Sequence, residues 1–213
     1  MGYAGRIGWW INKKTPLYGL LYNSHAVTDA RGISPLGWHV STYSDINYLY
    51  TNCLVTSLKE IGTSHWIEPN SNATNTSGFT ALPGGTRSFV SWGLSYYAIF
   101  GIIDNPDIAF RLTYDDSMDI GTDWGGTNKG LSYRYVRDSL DGWVTGETFT
   151  DFDGNIYHTV KIDNLIFAVE NMAVSHYNNG DIIPEETNNT TWQTLTTGAL
   201  CAYNNDWSDV FNS

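Results

Sequence analysis

The sequence predicts an α+β fold: short antiparallel strands, one or two short helices and a long loop-rich half. Three observations carry that prediction. Only 15% of the 213 residues are charged, while 15% are Trp, Tyr or Phe and 21 are Gly, the profile of many short strands joined by turns. Turn signals recur between aromatic and aliphatic runs through residues 89–137: Asp104-Asn105-Pro106, Tyr114-Asp115-Asp116 and Gly125-Gly126-Thr127-Asn128. Helical spacing is local: Ile46, Leu49 and Cys53 form one apolar stripe, with Asp45 in the first turn behind a Ser41 or Thr42 cap.

In chain order, residues 1–18 form an N-terminal extension whose Trp9-Trp10 pair and glycines read as a strand or docking arm. Leu20 to Val27 reads as a buried strand, and Asp29-Ala30-Arg31-Gly32 as a turn. The helix of residues 42–53 follows, and then 63–88, rich in Gly, Ser, Thr, Asn and Pro, as a long loop. Thr148-Phe149-Thr150 and Ile156 to Ile162 flank Asp153-Gly154 as a hairpin, and Asp163-Asn164 turns into Leu165 to Val169, completing a three-stranded meander. Thr190 or Thr191 is placed to cap a short helical turn around Trp192.

Charge and motifs exclude several function classes. The formal net charge is −11, and Arg134 and Arg137 are too isolated to form a basic stripe, so nucleic acid is not an expected partner. Cys53 and Cys201 read as two free thiols, and no Cys/His spacing points to zinc or another metal. No apolar run is long enough to enter a membrane, and no signal peptide is visible; the composition points to an extracellular, cell-surface or virion location.

Several motifs together resemble one known family. They are Leu21-Tyr22-Asn23, Gly37-Trp38-His39-Val40, Leu58-Lys59-Glu60, His65-Trp66 and the run Gly78 to Gly85. A second set comprises Asp153-Gly154-Asn155, Thr159 to Ile162, Glu170-Asn171, His176-Tyr177, Thr197-Gly198-Ala199 and Tyr203-Asn204-Asn205-Asp206. The chain is similar to the Fibrobacter succinogenes major paralogous domain of bacterial surface proteins. The resemblance implies a C-type-lectin-like fold whose loop-rich half carries binding. Its order is swapped: the closing half, 19–138, precedes the opening half, 148–206. Residues 19–213 are therefore expected to form a single circularly permuted domain, since termini tend to lie together at the surface, with a window cut across two tandem copies as the alternative. Cys201 matches a family cysteine, but Tyr135 stands where its usual partner is found, which puts a family disulfide in doubt. Residues 97–131 depart most from the family pattern, as either a diversified binding surface or exposed loops that have drifted.

The expected function is non-catalytic recognition: adhesion or receptor binding on a bacterial surface or phage particle, with a protein or glycan receptor. A structural role in a virion or surface fibre, through a homo-oligomer or a neighbouring subunit, is the alternative; glycan binding or processing is a second. Aromatic faces stack on sugars and anchor protein interfaces, so Tyr97, Phe100, Tyr114 and Trp124 are the candidate anchors, together with Tyr96. Asp104, Asn105, Asp107, Asp119 and Asn128 are candidates for orienting ligand hydroxyls or amides. No catalytic residues, cofactor or metal are assigned. The Asp115-Asp116-Asp119-Asp123 group lacks EF-hand spacing, Glu68-Pro69-Asn70 reads as loop, and the five histidines are scattered.

Overall fold

The structure is a computed structural model that describes residues 17–70, 72–138 and 144–207. The expected docking role of residues 1–16, Trp9 and Trp10 included, lies outside the described residues.

The chain enters through β1 (Leu21–Tyr22), but the strand expected to reach Val27 stops there. Asn23 is the cause. Its side-chain oxygen accepts from the Ala26 amide at 3.0 Å, as an N-cap does, and starts the one-turn helix α1 (Ser24–Val27). The same oxygen accepts from the Ala199 amide at 2.9 Å, tying this turn to the far end of the chain. After β2 (His39–Val40) comes α2 (Tyr43–Asn52), which opens on a full capping box between Thr42 and Asp45. Ile46 and Leu49 are buried, and Cys53 is the half-buried C-cap.

The single turn α3 (Val55–Leu58) precedes the long loop, and β3 (Gly84–Arg87), β4 (Ser91–Leu94), β5 (Tyr97–Gly101), β6 (Ala109–Thr113) and β7 (Met118–Gly121) follow. Next come β8 (Tyr135–Asp138), the expected meander β9 (Thr148–Thr150), β10 (Ile156–Ile162) and β11 (Leu165–Ala168), the helix α4 (Asn189–Gln193), β12 (Leu200–Cys201) and a 3₁₀ turn at Tyr203–Asn205. The cap of α4 is Asn188, not Thr190 or Thr191: its side chain accepts from the amides of both.

The fold is mixed α+β, and its sheets are richer than one short antiparallel sheet. The first has the order β2-β8-β11-β10-β9, the second β4-β3-β5-β6-β7, and β1 and β12 form a two-stranded ribbon. One pair is parallel, β3 with β5 at Gly85 and Ala98. Helices among the described residues number four rather than one or two, three of them short.

Residues 19–138 and 148–206 share sheets and core. β8 pairs with β11, and β1 with β12. One core cluster mixes Tyr22, Val40, Tyr133 and Tyr135 with Tyr157, Ile166, Val174 and Leu200. A second packs Ile46 and Leu49 of α2 against Phe100, Phe110 and Leu112 of the second sheet. Two fully buried arginines bolt the segments together. Arg134 donates to Asn171 Oδ1 at 2.6 Å and to the carbonyls of Phe79, Ala168 and Thr80. Arg87 donates to the carbonyls of Glu186 and Thr187 and to the side chains of Asn189 and Asn205, lying 4.5 Å from the centre of the Trp192 ring. Four hydrogen bonds from each guanidinium offset the cost of burying its charge, although Nε of Arg87 has no partner. Both cysteines are free; burial pushes the Cys201 thiol up to about 11, which removes it from thiolate chemistry near neutral pH.

Candidate functional site: an aromatic face on the second sheet

Side chains alternate across a strand, so the second sheet has two distinct faces. Ala98 and Phe100 of β5, Phe110 and Leu112 of β6, and Met118 and Ile120 of β7 turn towards α2. Tyr97, Arg111 and Asp119 lie on the opposite face. There Arg111 and Asp119 are direct cross-strand partners and form an ion pair.

Three rings gather beside this pair, and two more lead away from them. Trp92 of β4 lies 5.6 Å from Tyr97 and 5.7 Å from Trp124, between ring centres, and Tyr97 lies 5.9 Å from Trp124. Tyr96 continues the series, 6.1 Å from Tyr97 and 5.5 Å from Tyr114. The Arg111 guanidinium sits 4.0 Å from the centre of the Trp124 ring, within cation–π range. Tyr96 is exposed and the other four rings are half-buried, held by their neighbours but open on one side.

Glycines position the rings. Gly93 has φ +81°, and a Cβ there would stand 2.7 Å from Cδ2 of Tyr97, so only glycine lets that ring lie down on β4. Gly125 packs directly on the backbone of Asp107 and Ile108, and the Gly126 amide donates to the Pro106 carbonyl at 2.7 Å. The turn after β5 is thereby fixed against the loop that carries Trp124, and exposed Asp107 is brought beside it. Two buried polar atoms here lack a hydrogen-bond partner, Nε of Arg111 and Oδ1 of Asp119.

Of the residues expected to bind, Tyr97, Trp124 and Asp119 belong to this face and Asp107 borders it, whereas Tyr114 packs against the core on the α2 side and touches only Tyr96 of the series. Asn105 is exposed in the same turn. Asp104 points elsewhere: its Oδ1 accepts from the Tyr43 amide at 2.7 Å at the start of α2, and it lines a cleft of about 460 Å³ with Val27, Ile33 and Asn178. Asn128 is a structural brace, donating through Nδ2 to the Gln193 carbonyl at 2.6 Å and accepting from Trp192 Nε1 on its own carbonyl at 2.7 Å. Phe100 corrects the expectation of a surface anchor. It is fully buried, 5.6 Å from Phe79 and 6.2 Å from Phe110, because it sits three residues from Tyr97 and so faces the other side of β5. Residues 97–131 are likewise not a continuous surface: Ile99, Phe110, Leu112 and Leu131 are core. Sequence reasoning missed Trp92 and Arg111. Trp92 lies just ahead of the 97–131 stretch, and the signal for Arg111 was its period-two spacing within β6.

Other groupings resolve into structure. Ser175, His176 and Asp153 meet, but the Ser175 hydroxyl (3.2 Å) and the Asp153 carboxylate (2.5 Å) both approach the same His176 nitrogen, Nδ1, which locks a turn rather than relaying a proton. Asn70 turns inward, donating to the carbonyls of Glu60 and Gly62. The acidic group is divided: Asp115 accepts from the Thr113 hydroxyl, Asp116 pairs with buried Lys59 at 2.7 Å, Asp119 takes Arg111, and Asp123 is exposed. Among the described residues no three His, Cys, Asp or Glu side chains are grouped to hold a metal ion.

The fold and site define a mixed α+β, short-stranded framework that displays a rigid aromatic sheet face. The family model of the Fibrobacter succinogenes major domain matches residues 10–101, the segment that holds the Gly37 to Val40, Leu58 to Glu60 and Gly78 to Gly85 motifs and the Trp92–Tyr97 edge of the face. Over that segment the chain is similar to this domain, as its motifs indicated; residues 148–206 lie beyond the matched segment. No curated protein and no solved structure matches the chain significantly. No helix among the described residues is long and apolar enough to cross a membrane.

Proposed function

We propose that this protein is a non-catalytic recognition module that presents the aromatic face of its second sheet to a receptor, on a bacterial surface or a phage particle. The observation that carries this function is the cluster of Trp92, Tyr97 and Trp124 packed on one another beside the Arg111–Asp119 pair, two of the rings on strands and the third on a turn braced by Gly125. Rings already fixed by neighbours lose little freedom on binding, so their stacking energy reaches the complex undiminished. The test is retention of fluorescently labelled protein on panels of bacterial and epithelial cells. Wild type is retained, while Trp124→Ala and Tyr96→Ala are not; equal retention of all three would remove the face from this role.

Residues 19–207 also fit one permuted domain of C-type-lectin-like type. In support, Tyr18 and Tyr203 flank the same dipeptide, Gly84-Gly85. The segments at 18 and 203 that meet there let the swapped order of halves close without a topological cost. A gene in which residues 144–213 precede 1–138, joined by a flexible linker, is expected to give a protein with the same near-UV circular dichroism.

A further inference from the structure

Away from the aromatic face, three exposed apolar side chains adjoin at one place on the surface. Leu36 is fully exposed in the turn that the Trp38 amide closes on the Pro35 carbonyl, Phe152 is 53% exposed and Ile182 69%. The Phe152 ring lies 6.0 Å from that of His176, and Ile182 is the antiparallel bridge partner of His176. Single exposed apolar residues are ordinary, but a group of them beside a hollow marks a contact surface. The hollow is a cleft of about 590 Å³ between Pro35-Leu36 and Phe152, with buried Trp38 in its wall. Ser34 and Asn178 also line the cleft of about 460 Å³ that holds Asp104, and there the lining changes character. Asp29 and exposed Asp104 stand at this second cleft, and Arg31 joins Asp29 to Asp181. Three carboxylates against one guanidinium leave this end negative. Arg137 reaches the Trp38 ring at 5.4 Å but lines neither cleft. The joined clefts suit a segment with large apolar side chains followed by cations.

The chain itself supplies one. Trp9, Trp10 and Ile11 are followed by Lys13 and Lys14. Residues 1–16 hold 3 of the 11 basic residues and none of the 22 acidic ones, so residues 17–213 carry 8 basic against 22 acidic residues, a formal charge of −14. Opposite charge of this size steers association and fixes its orientation.

The path of the chain indicates whose cleft is filled. The Tyr18 carbonyl accepts from Asn171 Nδ2, the Leu20 amide donates to the Met172 carbonyl, the Tyr22 hydroxyl to the Val174 carbonyl, and the Asn178 amide to the Gly32 carbonyl. From Tyr18 the chain therefore advances beside residues 171–178 towards the cleft, whose wall includes Asn178. The residues ahead of Tyr18 start from the end of this run remote from the cleft. A segment at one end that fits a cleft at the other makes a heterologous contact, which joins copies into open chains or closed rings rather than symmetric dimers. We infer that this protein assembles head to tail with copies of itself, residues 9–14 of one copy filling the joined clefts beside Leu36 and Asp104 of the next. This surface is separate from the aromatic face, and the assembly does not depend on what that face binds.

Sedimentation velocity of the full chain from about 1 µM to about 1 mM provides the test. The expected result is stepwise growth in mass with concentration, weakened as salt rises from about 0.05 to about 0.5 M because the lysine contacts are screened. Two variants are then compared, each shown to be folded by near-UV circular dichroism. One alters the head, with Trp9→Ala, Trp10→Ala, Lys13→Glu and Lys14→Glu together. The other alters the cleft, with Leu36→Asp and Ile182→Asp, both at exposed positions. Each alone associates about tenfold or more weakly than wild type. Mixed, they form a one-to-one complex that grows no further, because one supplies only a cleft and the other only a head. Monomers at every concentration overturn the inference, as does undiminished self-association of either variant or the absence of a complex on mixing. In the otherwise wild-type chain, Ile11→Cys and Leu36→Cys joined by a bismaleimide should link different chains; a link formed only within one chain would place the head in its own cleft and overturn the assembly.

Discussion

Arg134 shows most clearly how single residues hold this molecule. Its guanidinium is buried between Phe79 and Phe100 and makes four hydrogen bonds, three of them to main-chain carbonyls in two distant segments. Removing it leaves those acceptors buried and unpaired. Arg134→Ala should lower stability by roughly 3–5 kcal/mol, read as a fall in the urea midpoint. His39 and Asp45 provide a pH-dependent counterpart, joined at 3.1 Å. The hydrogen bond that His39 donates to Asp45 raises the imidazole pKa despite partial burial. Burial pushes the Asp45 carboxyl up, but the hydrogen bonds from His39 and Thr42 outweigh it and hold the pKa below its usual value. The His39 contribution is full below about pH 6.5 and fades as pH rises through its raised pKa. The Asp45 contribution is present above about pH 3.9 and fades as pH falls through its lowered pKa. The stability gap between wild type and His39→Gln should therefore be widest near pH 5 and shrink by pH 8; a gap flat across that range would contradict the pairing. Single residues were legible where their role is local. Asp45 could be placed in a first turn from its neighbours alone, whereas the partners of Arg134 lie up to 55 residues away and no spacing rule reaches them.

At the scale of elements, α2 was the most legible because its cap, first turn and stripe all sit within residues 42–53. Thr42→Ala should cost about 1 kcal/mol, seen in thermal unfolding, by breaking the capping box. The strand expected over Leu20 to Val27 was broken by Asn23, whose capping competes with extension through a hydrogen bond that composition does not reveal. The second sheet was legible as strands and turns but not as faces. Tyr97 and Phe100 looked alike as aromatics, yet an odd separation puts them on opposite sides of β5. The same alternation, applied to Trp92 and Arg111, would have added both to the site. Gly125 tests the link between loop geometry and the aromatic face. A methyl there collides with the Asp107 backbone, so Gly125→Ala should move Trp124, weaken ligand binding and red-shift tryptophan emission, whereas unchanged emission and binding would show that the loop adapts.

For the whole molecule, the first core cluster draws on residues from both sides of residue 143, so neither part should fold alone. Expressed separately, residues 1–138 and 144–213 should each lack a cooperative transition, and mixing them should restore the near-UV spectrum; a folded isolated fragment would show that one sheet suffices. That the two parts close on each other was expected from their motifs, but the contacts that close them were not legible, such as Asn23 with Ala199, 176 residues apart. That one contact carries a consequence for time as well as for shape. Joining ends so distant costs loop entropy before any contact repays it, which slows folding. The ribbon of β1 and β12 should therefore close after the crest of the barrier and act mainly on the rate of unfolding. A mutation such as Asn23→Ala would then leave refolding nearly as fast while shortening the native lifetime. In surroundings rich in proteases, endurance of the aromatic face would be set by how seldom that last clasp opens.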